Sequence, residues 1–230
     1  MSKSTTVERP PAGTPTAPPQ GETRILIPGA TWELYSTFVH SLPEGCGIRV
    51  AFDGEDMEIM VTGHLHDGMA DLLDAFFKAV ARGVGLRFKP QSQTTWIRPE
   101  IQKGLEADRG YFIEPGKIAS ATAAQKAGSN NVRDYPNPDL AIEVEISRPR
   151  ADRQAIYGAM KVAELWTFDG KSLIIRRLGD DGRYQVTERS GFLPLRADDV
   201  PHWLLDEDTS DYSAWTDRIT DWARMTLPRT

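Results

Sequence analysis

Cysteine is almost absent from this 230-residue sequence, and long apolar runs are missing altogether. The single cysteine, Cys46, excludes an internal disulfide and a zinc site built on cysteines. No apolar run approaches the roughly 18 to 20 residues that a membrane-spanning helix needs, and the first residues contain no apolar signal-peptide core. We therefore expect a cytoplasmic protein with no membrane partner.

Motifs that mark several common enzyme classes are also missing. The sequence has no G-x-x-x-x-G-K-[ST] loop and no G-x-G-x-x-G turn, which argues against ATP hydrolysis and dinucleotide redox chemistry. It has no G-x-S-x-G nucleophile turn, so a Ser-His-Asp hydrolase is not expected. His64 and His66 form an H-x-H pair, but no third ligand stands at a zinc-binding spacing.

The composition is that of an ordinary folded protein with a small excess of acidic residues. Hydrophobic residues make up 40% and charged residues 26% of the chain, and the formal net charge is −6. Avid, non-specific binding of nucleic acids relies on clustered Lys and Arg, so this balance argues mildly against it. It leaves room for a local basic patch.

Residues 1–22 are rich in Pro, Thr and Ser, and we expect them to form a flexible tail because they offer little apolar surface to bury. Residues 23–228 form one predicted domain that ends in an amphipathic helix. Hydrophobic periodicity predicts helices at 31–42, 67–83, 152–161 and 212–227, the second capped by Asp67. Strands are predicted at 48–53, 57–61, 86–88, 94–98, 108–113, 140–146, 165–168, 172–178 and 184–187. The fold class is therefore α/β, with a mixed central β-sheet flanked by helices.

The most informative segment is PDLAIEVEIS at 138–147. Successive side chains of a strand point to opposite faces, so Asp139, Glu143 and Glu145 share one face, opposite an apolar one. Like charges on one face repel, and a cation or a hydrogen-bonded proton would relieve this. The alternative is that the acidic face is simply solvated.

A second acidic pair, Glu106 and Asp108, precedes a short apolar and aromatic stretch that suits a neighbouring strand. Carboxylates from two adjacent strands can supply oxygen ligands to a hard cation such as Mg²⁺ or Mn²⁺. Such a cation is what phosphodiester hydrolysis uses to orient water and to stabilise charge on the phosphoryl oxygens.

An ordered series of motifs resembles the Uma2 family of the PD-(D/E)xK nuclease superfamily over roughly residues 25–205. The motifs are MEIM, SQTTW, GLEAD, PDLAIEVEIS, AIYGAMKVAELWTFDG and DGRYQVTERS. The resemblance implies a restriction-endonuclease-like fold and a metal-dependent endonuclease that hydrolyses DNA. It implies that Asp108 and Glu143, helped by the Val144 carbonyl, are metal ligands. Glu145 takes the place of the superfamily lysine, and His66 lies near a histidine that recurs in the family.

The chain departs from the family pattern at Arg153, which stands four residues before Tyr157 where the family commonly has lysine. Arginine stays charged and cannot act as a base, although it can neutralise a phosphoryl oxygen. Arg148 and Arg150 could form a positive rim for DNA, or could simply be solvated. Two hypotheses stay open, with a homodimer as a superfamily expectation. One is a nuclease that uses Asp108, Glu143, Glu145 and Arg153; the other is a catalytically degenerate module that binds DNA or protein.

Overall fold

The computed structural model describes residues 22–43, 45–91 and 94–229. The predicted flexible tail therefore lies outside the described residues except for Glu22. That residue is only 7% exposed.

The described elements follow one another as strands β1 to β11 and helices α1 to α6. The strands are β1 (Thr23–Ile27), β2 (Ile48–Phe52), β3 (Met57–Val61), β4 (Lys89–Gln91), β5 (Thr94–Arg98), β6 (Lys103–Ala107), β7 (Arg109–Phe112), β8 (Leu140–Val144), β9 (Glu164–Phe168), β10 (Leu173–Leu178) and β11 (Tyr184–Thr187). The helices are α1 (Trp32–Ser41), α2 (His64–Val84), α3 (Pro115–Lys126), α4 (Arg153–Ala159), α5 (Asp199–Pro201) and α6 (Tyr212–Thr226). None of these helices is both long and apolar enough to cross a membrane.

The strands form two sheets. Sheet 1 has the order β1-β3-β2-β6-β5 and is antiparallel throughout, whereas sheet 2 has the order β11-β10-β9-β8-β7-β4 and contains one parallel pair, β8 with β9. The predicted α/β class with a mixed sheet flanked by helices is confirmed, and the mixed sheet is sheet 2. Sheet 1 is a second sheet that was not predicted. The chain passes from sheet 1 to sheet 2 between β6 and β7, at Asp108.

The alternation predicted for the acidic strand is present in β8. Leu140, Ile142 and Val144 belong to the large core that α2 and α6 cover, while Ala141 packs in a second core on the opposite face. All five residues of β8 are buried. Both faces of this strand are therefore enclosed, and any acidic side chain on it is taken out of bulk water.

Helix α2 differs from its prediction at both ends. It begins at His64 after Gly63, so Asp67 lies in its first turn and does not cap it, and it ends at Gly85 in the left-handed conformation. Gly83 lies inside the helix, where a Cβ atom would stand 2.7 Å from the Ala223 Cβ atom of α6. The glycine allows the two helices to approach closely, and it does not mark the end of α2.

Further differences come from segments with weak periodicity. Strands β1 and β6 and helix α3 were not predicted, and the strand predicted at 86–88 is wrong because pairing begins at Lys89. Helix α3 is rich in alanine and buries only Ala121, so it carries little amphipathic signal. The residues at 86–88 are apolar because Leu86 and Phe88 pack against the core.

Candidate functional site at the junction of the two sheets

Asp108 is fully buried at the point where the chain changes sheets. Its Oδ2 atom accepts a hydrogen bond from the Val144 amide at 2.7 Å. Backbone pairing between β7 and β8 extends only to Arg109 and Ile142. The aspartate side chain therefore continues the connection between the two strands after their backbone pairing has ended.

The other oxygen of Asp108 faces a histidine and an arginine. Oδ1 lies 2.9 Å from His66 Nε2 and is in direct contact with Nη1 of Arg49. His66 comes from α2 and Arg49 from β2, and both are buried. The Nδ1 atom of His66 lies 2.6 Å from Oε1 of Glu22. The imidazole ring thus bridges two carboxylates, and Arg49 supplies a positive charge beside Asp108.

Glu143 is held by two groups from α4. Its Oε2 atom accepts a hydrogen bond from Arg153 Nη2 at 2.7 Å, and its Oε1 atom accepts one from the Tyr157 hydroxyl. Arg153 Nη2 also donates to the Glu106 carbonyl at 3.0 Å, while Arg153 Nε is buried without a partner among the described residues. Asp152 caps α4 by accepting from the Ala155 amide, which fixes where Arg153 and Tyr157 project.

The pKa values of both groups that hold Glu143 are raised. Burial raises the pKa of the Tyr157 hydroxyl, and the negative charge of Glu143 raises it further. Burial would lower the pKa of Arg153, but the charge of Glu143, its hydrogen bond and the neighbouring Tyr157 and Glu145 together outweigh burial and raise that pKa. Tyr157 therefore stays a neutral donor and Arg153 a permanent cation beside a carboxylate that is 1% exposed.

Glu145 follows the end of β8 and is partly exposed. Its amide donates to the Phe168 carbonyl at 2.8 Å, and within the described part of the chain its carboxyl group makes no hydrogen bond or ion pair. Burial raises the pKa of Glu145 to about 7, against the lowering effect of Arg153 and with a further rise from Glu143. It is the one predicted site carboxyl that is both reachable from solvent and free of a protein partner in that part of the chain.

Asp139 is engaged elsewhere and does not join the other carboxylates. Its Oδ2 atom accepts hydrogen bonds from the amides of Ile113 and Glu114 at 2.6 and 2.9 Å, and its Oδ1 atom lies 2.7 Å from Lys117 Nζ. Asp139 therefore stabilises the connection between β7 and α3. The alternative of a solvated acidic face is wrong for Asp139 and Glu143, because both are buried.

Glu106 lies at the edge of this cluster, at a lower degree of burial. Its Oε2 atom accepts from the Thr95 hydroxyl at 3.2 Å, and its Oε1 atom lies 3.7 Å from Arg49 Nε. Burial raises the pKa of Glu106, while Arg49 acts in the opposite direction.

The loop that follows β8 is fixed by Glu22. The amides of Ile146 and Ser147 donate to its two oxygens, each at 3.1 Å, and Arg24 lies 2.7 Å from Oε2. Burial alone would raise the pKa of Glu22, but hydrogen bonds from His66 and Ser147 and the charge of Arg24 lower it to about 2. Glu22 therefore links the start of the domain to the segment carrying Glu145.

A second carboxylate from sheet 1 holds the same loop further along. Glu58 accepts from the Arg150 amide through Oε2, and its Oε1 atom lies 2.6 Å from Arg24 Nη1. The side chains of Arg148 and Arg150 are exposed. The loop thus has a fixed backbone and presents two cations to solvent.

The carboxylates have the right chemistry for a hard cation, but their surroundings do not leave room for one. Every oxygen of Asp108 and Glu143 contacts a protein donor. Among residues 22–43, 45–91 and 94–229, no three His, Cys, Asp or Glu side chains are grouped so as to hold a metal. In this arrangement the residues do not fit Mg²⁺ or Mn²⁺, and the predicted cation and its Val144 carbonyl ligand stay predictions.

Two members of the cluster, Arg49 and Glu22, were not predicted from the sequence. Arg49 lies between Ile48 and Val50 in a strand of otherwise apolar residues, and a cation in such a strand needs a buried partner. The isolated arginine in an apolar strand could therefore have indicated a buried acidic partner. Glu22 was assigned to the tail, and nothing local distinguishes it from an exposed glutamate.

The two sheets, the helices that flank them and the acidic junction between them define a restriction-endonuclease-like α/β protein. A family model described as "Uma2: Putative restriction endonuclease" matches residues 35–205, which is most of the chain. The chain therefore belongs to the Uma2 family, as its motifs predicted. No curated protein matches the sequence.

Proposed function

We propose that the protein is an endonuclease that hydrolyses phosphodiester bonds of DNA at the junction of the two sheets. The supporting observation is that Asp108, Glu143 and Arg153 are all buried around the end of β8, where Asp108 accepts from the Val144 amide and Arg153 donates to the adjacent Glu143. Glu145 follows in the chain and is partly exposed. Membership of a family described as restriction endonucleases agrees with this reaction.

In this proposal Glu145 accepts the proton of the attacking water. Its carboxyl group is partly exposed and makes no hydrogen bond within the described residues, so it can receive a water molecule. Arg153 cannot take that role because a guanidinium does not lose its proton. Its buried Nε–H lacks a partner in the described chain and can donate to a phosphoryl oxygen that enters the site.

The fixed loop after β8 supplies the contact with DNA in this proposal. Arg148 and Arg150 are exposed beside Glu145, on a backbone that Glu22 and Glu58 hold in place. Contacts of this kind position a phosphate backbone without reading its sequence. They also provide a local positive charge that the overall charge of −6 does not reveal.

Mg²⁺ or Mn²⁺ remains the proposed cofactor. When bound, such an ion would polarise a phosphoryl oxygen and lower the pKa of a bound water. The described arrangement admits it only if a guanidinium leaves Asp108 or Glu143.

The test is cleavage of supercoiled plasmid DNA by the purified protein with Mg²⁺, with Mn²⁺ and with EDTA. Wild-type protein and Glu55→Gln should cleave equally, because Glu55 is an exposed hairpin residue outside the site. Glu143→Ala and Glu145→Gln should each lose cleavage by at least about a hundredfold, the usual scale of a catalytic proton transfer. Cleavage that survives Glu143→Ala, or is the same in Glu145→Gln, would exclude this site.

The second candidate function is a catalytically degenerate nuclease fold that binds DNA or another protein. The observation that favours it is the pairing of Asp108 with Arg49 and of Glu143 with Arg153 in place of a metal. A wild-type protein that binds DNA but never cleaves it, and an Arg153→Lys variant that is equally silent, would select this candidate. A homodimer and a cytoplasmic location stay predictions.

A further inference from the structure

Asp108 is already paired with a cation, Arg49, which a divalent metal would have to displace. We infer that Arg49 competes with divalent metal for the Asp108 carboxylate and so controls metal loading of the junction site. The inference concerns regulation of the site to which we assign endonuclease activity, and rests on that proposed function.

The contacts of Arg49 support this role. Its side chain is 4% exposed, and its Nη1 atom touches Oδ1 of the fully buried Asp108. The same Nη1 atom lies 3.0 Å from His66 Nε2. A carboxylate oxygen that faces a guanidinium at contact distance cannot also approach a metal closely without bringing two positive charges together. Arg49 and a metal therefore cannot both occupy Oδ1 of Asp108 at the same time.

The structure also provides a place to which Arg49 can move. A cleft of about 500 Å³ lies beside it, and its polar lining includes Arg49, Asp67, Thr95 and Glu106. Arg49 Nη2 lies 3.7 Å from Asp67 Oδ1, and Nε lies 3.7 Å from Glu106 Oε1. These distances are too long for hydrogen bonds. A small outward rotation would let the guanidinium exchange Asp108 for these two carboxylates, and would free Oδ1.

The test is direct measurement of Mn²⁺ binding, by the electron paramagnetic resonance signal of free Mn²⁺ titrated with full-length protein. Arg49→Met should bind Mn²⁺ at least about tenfold more tightly than wild type, because the metal no longer has to displace a guanidinium from Asp108; tenfold is about 1.4 kcal/mol of binding free energy. The gain should vanish in the double variant Arg49→Met with Asp108→Asn. Equal Mn²⁺ affinity in Arg49→Met and wild type would overturn the inference.

The matched control is Arg98→Met. Arg98 is another buried arginine of sheet 1, 5% exposed, whose donors go to Asn137 and to two main-chain carbonyls, with no carboxylate. Loss of its side chain loosens the protein without freeing an acidic ligand. Tighter Mn²⁺ binding by Arg98→Met to the same degree would mean that general loosening explains the effect, and would overturn the inference.

Arg49→Met leaves Asp108 unpaired, so its stability is measured as well. We expect Mn²⁺ to raise the melting temperature of Arg49→Met more than that of wild type, and Asp108→Asn to restore stability in the double variant. An Arg49→Met protein that neither Mn²⁺ nor Asp108→Asn rescues would overturn the inference. None of these readouts uses DNA, so a protein that shows them but never cleaves disproves the endonuclease alone.

Discussion

Glu22 offers the clearest test of how the junction is held together. Its carboxylate accepts hydrogen bonds from the Ile146 and Ser147 amides and is paired with Arg24. Burial would raise the pKa of Glu22, but hydrogen bonds from His66 and Ser147 and the charge of Arg24 favour the ionised form, and the pKa falls from 4.5 to about 2. A shift of that size corresponds to about 3 kcal/mol of stability. Glu22→Gln should therefore lower the free energy of unfolding at pH 7 by up to about 3 kcal/mol.

The pH dependence gives the sign of the effect. A carboxyl group whose pKa is depressed in the folded protein contributes stability above its unfolded pKa and loses it as pH falls toward the folded pKa. For Glu22 these limits are 4.5 and about 2. The difference in stability between wild type and Glu22→Gln should be constant from pH 7 to pH 5, and should shrink by roughly half between pH 5 and pH 3.

The assay is urea unfolding at a series of pH values, with Glu33→Gln as control because Glu33 is an exposed residue of α1. The control should follow wild type at every pH. A Glu22→Gln difference that is absent at pH 7, or that does not shrink on acidification, would refute the view that ionised Glu22 fixes the loop after β8.

Three further predictions address single contacts. Tyr157→Phe removes a donor from the buried Glu143 carboxylate and should cost about 1 to 3 kcal/mol in urea unfolding; an unchanged midpoint would contradict that bond. Gly83→Val places side-chain atoms where a Cβ alone lies 2.7 Å from Ala223 Cβ, and should cost about 1 to 3 kcal/mol and lower the melting temperature. Because the pKa of Glu145 is about 7, cleavage that depends on its ionised form should rise with pH through about 7. Residual cleavage by Glu145→Gln that shows the same rise would assign the pH dependence to another group.

The parts of the fold that the sequence predicted are those with a strong local pattern. The hairpin of β2 and β3, the strand β8 and the helix α6 were all placed to within two residues, because their apolar residues follow strict periods. The pairing of β7 with β8 was also predicted, which brought Asp108 near Glu143. The prediction missed helix α3. This helix buries only one alanine, so its sequence shows no periodic apolar stripe.

The site itself was predicted only in part, since its remaining members are determined by tertiary structure. Asp139 and Glu143 have the same place in the alternating pattern of the acidic strand, yet one binds the amides before α3 and the other binds α4. Their roles are decided by which loop or helix passes over each end of β8. Glu22 reaches Ser147, 125 positions along the chain, and no pattern within a strand or helix can anticipate such a contact.

Each buried carboxylate of the junction has a cationic partner, and this arrangement bears on the arginine that replaces the family lysine. Arg24 pairs with both Glu22 and Glu58, Arg49 with Asp108, and Arg153 with Glu143. A buried carboxylate needs a partner of opposite charge, and a guanidinium keeps its charge where a buried lysine can lose it. Asp108 and Glu143 therefore each have a cationic partner without a metal. A divalent ion at either carboxylate would stand beside a guanidinium unless that guanidinium withdrew, and the cleft beside Arg49 is where the described structure gives one space to go.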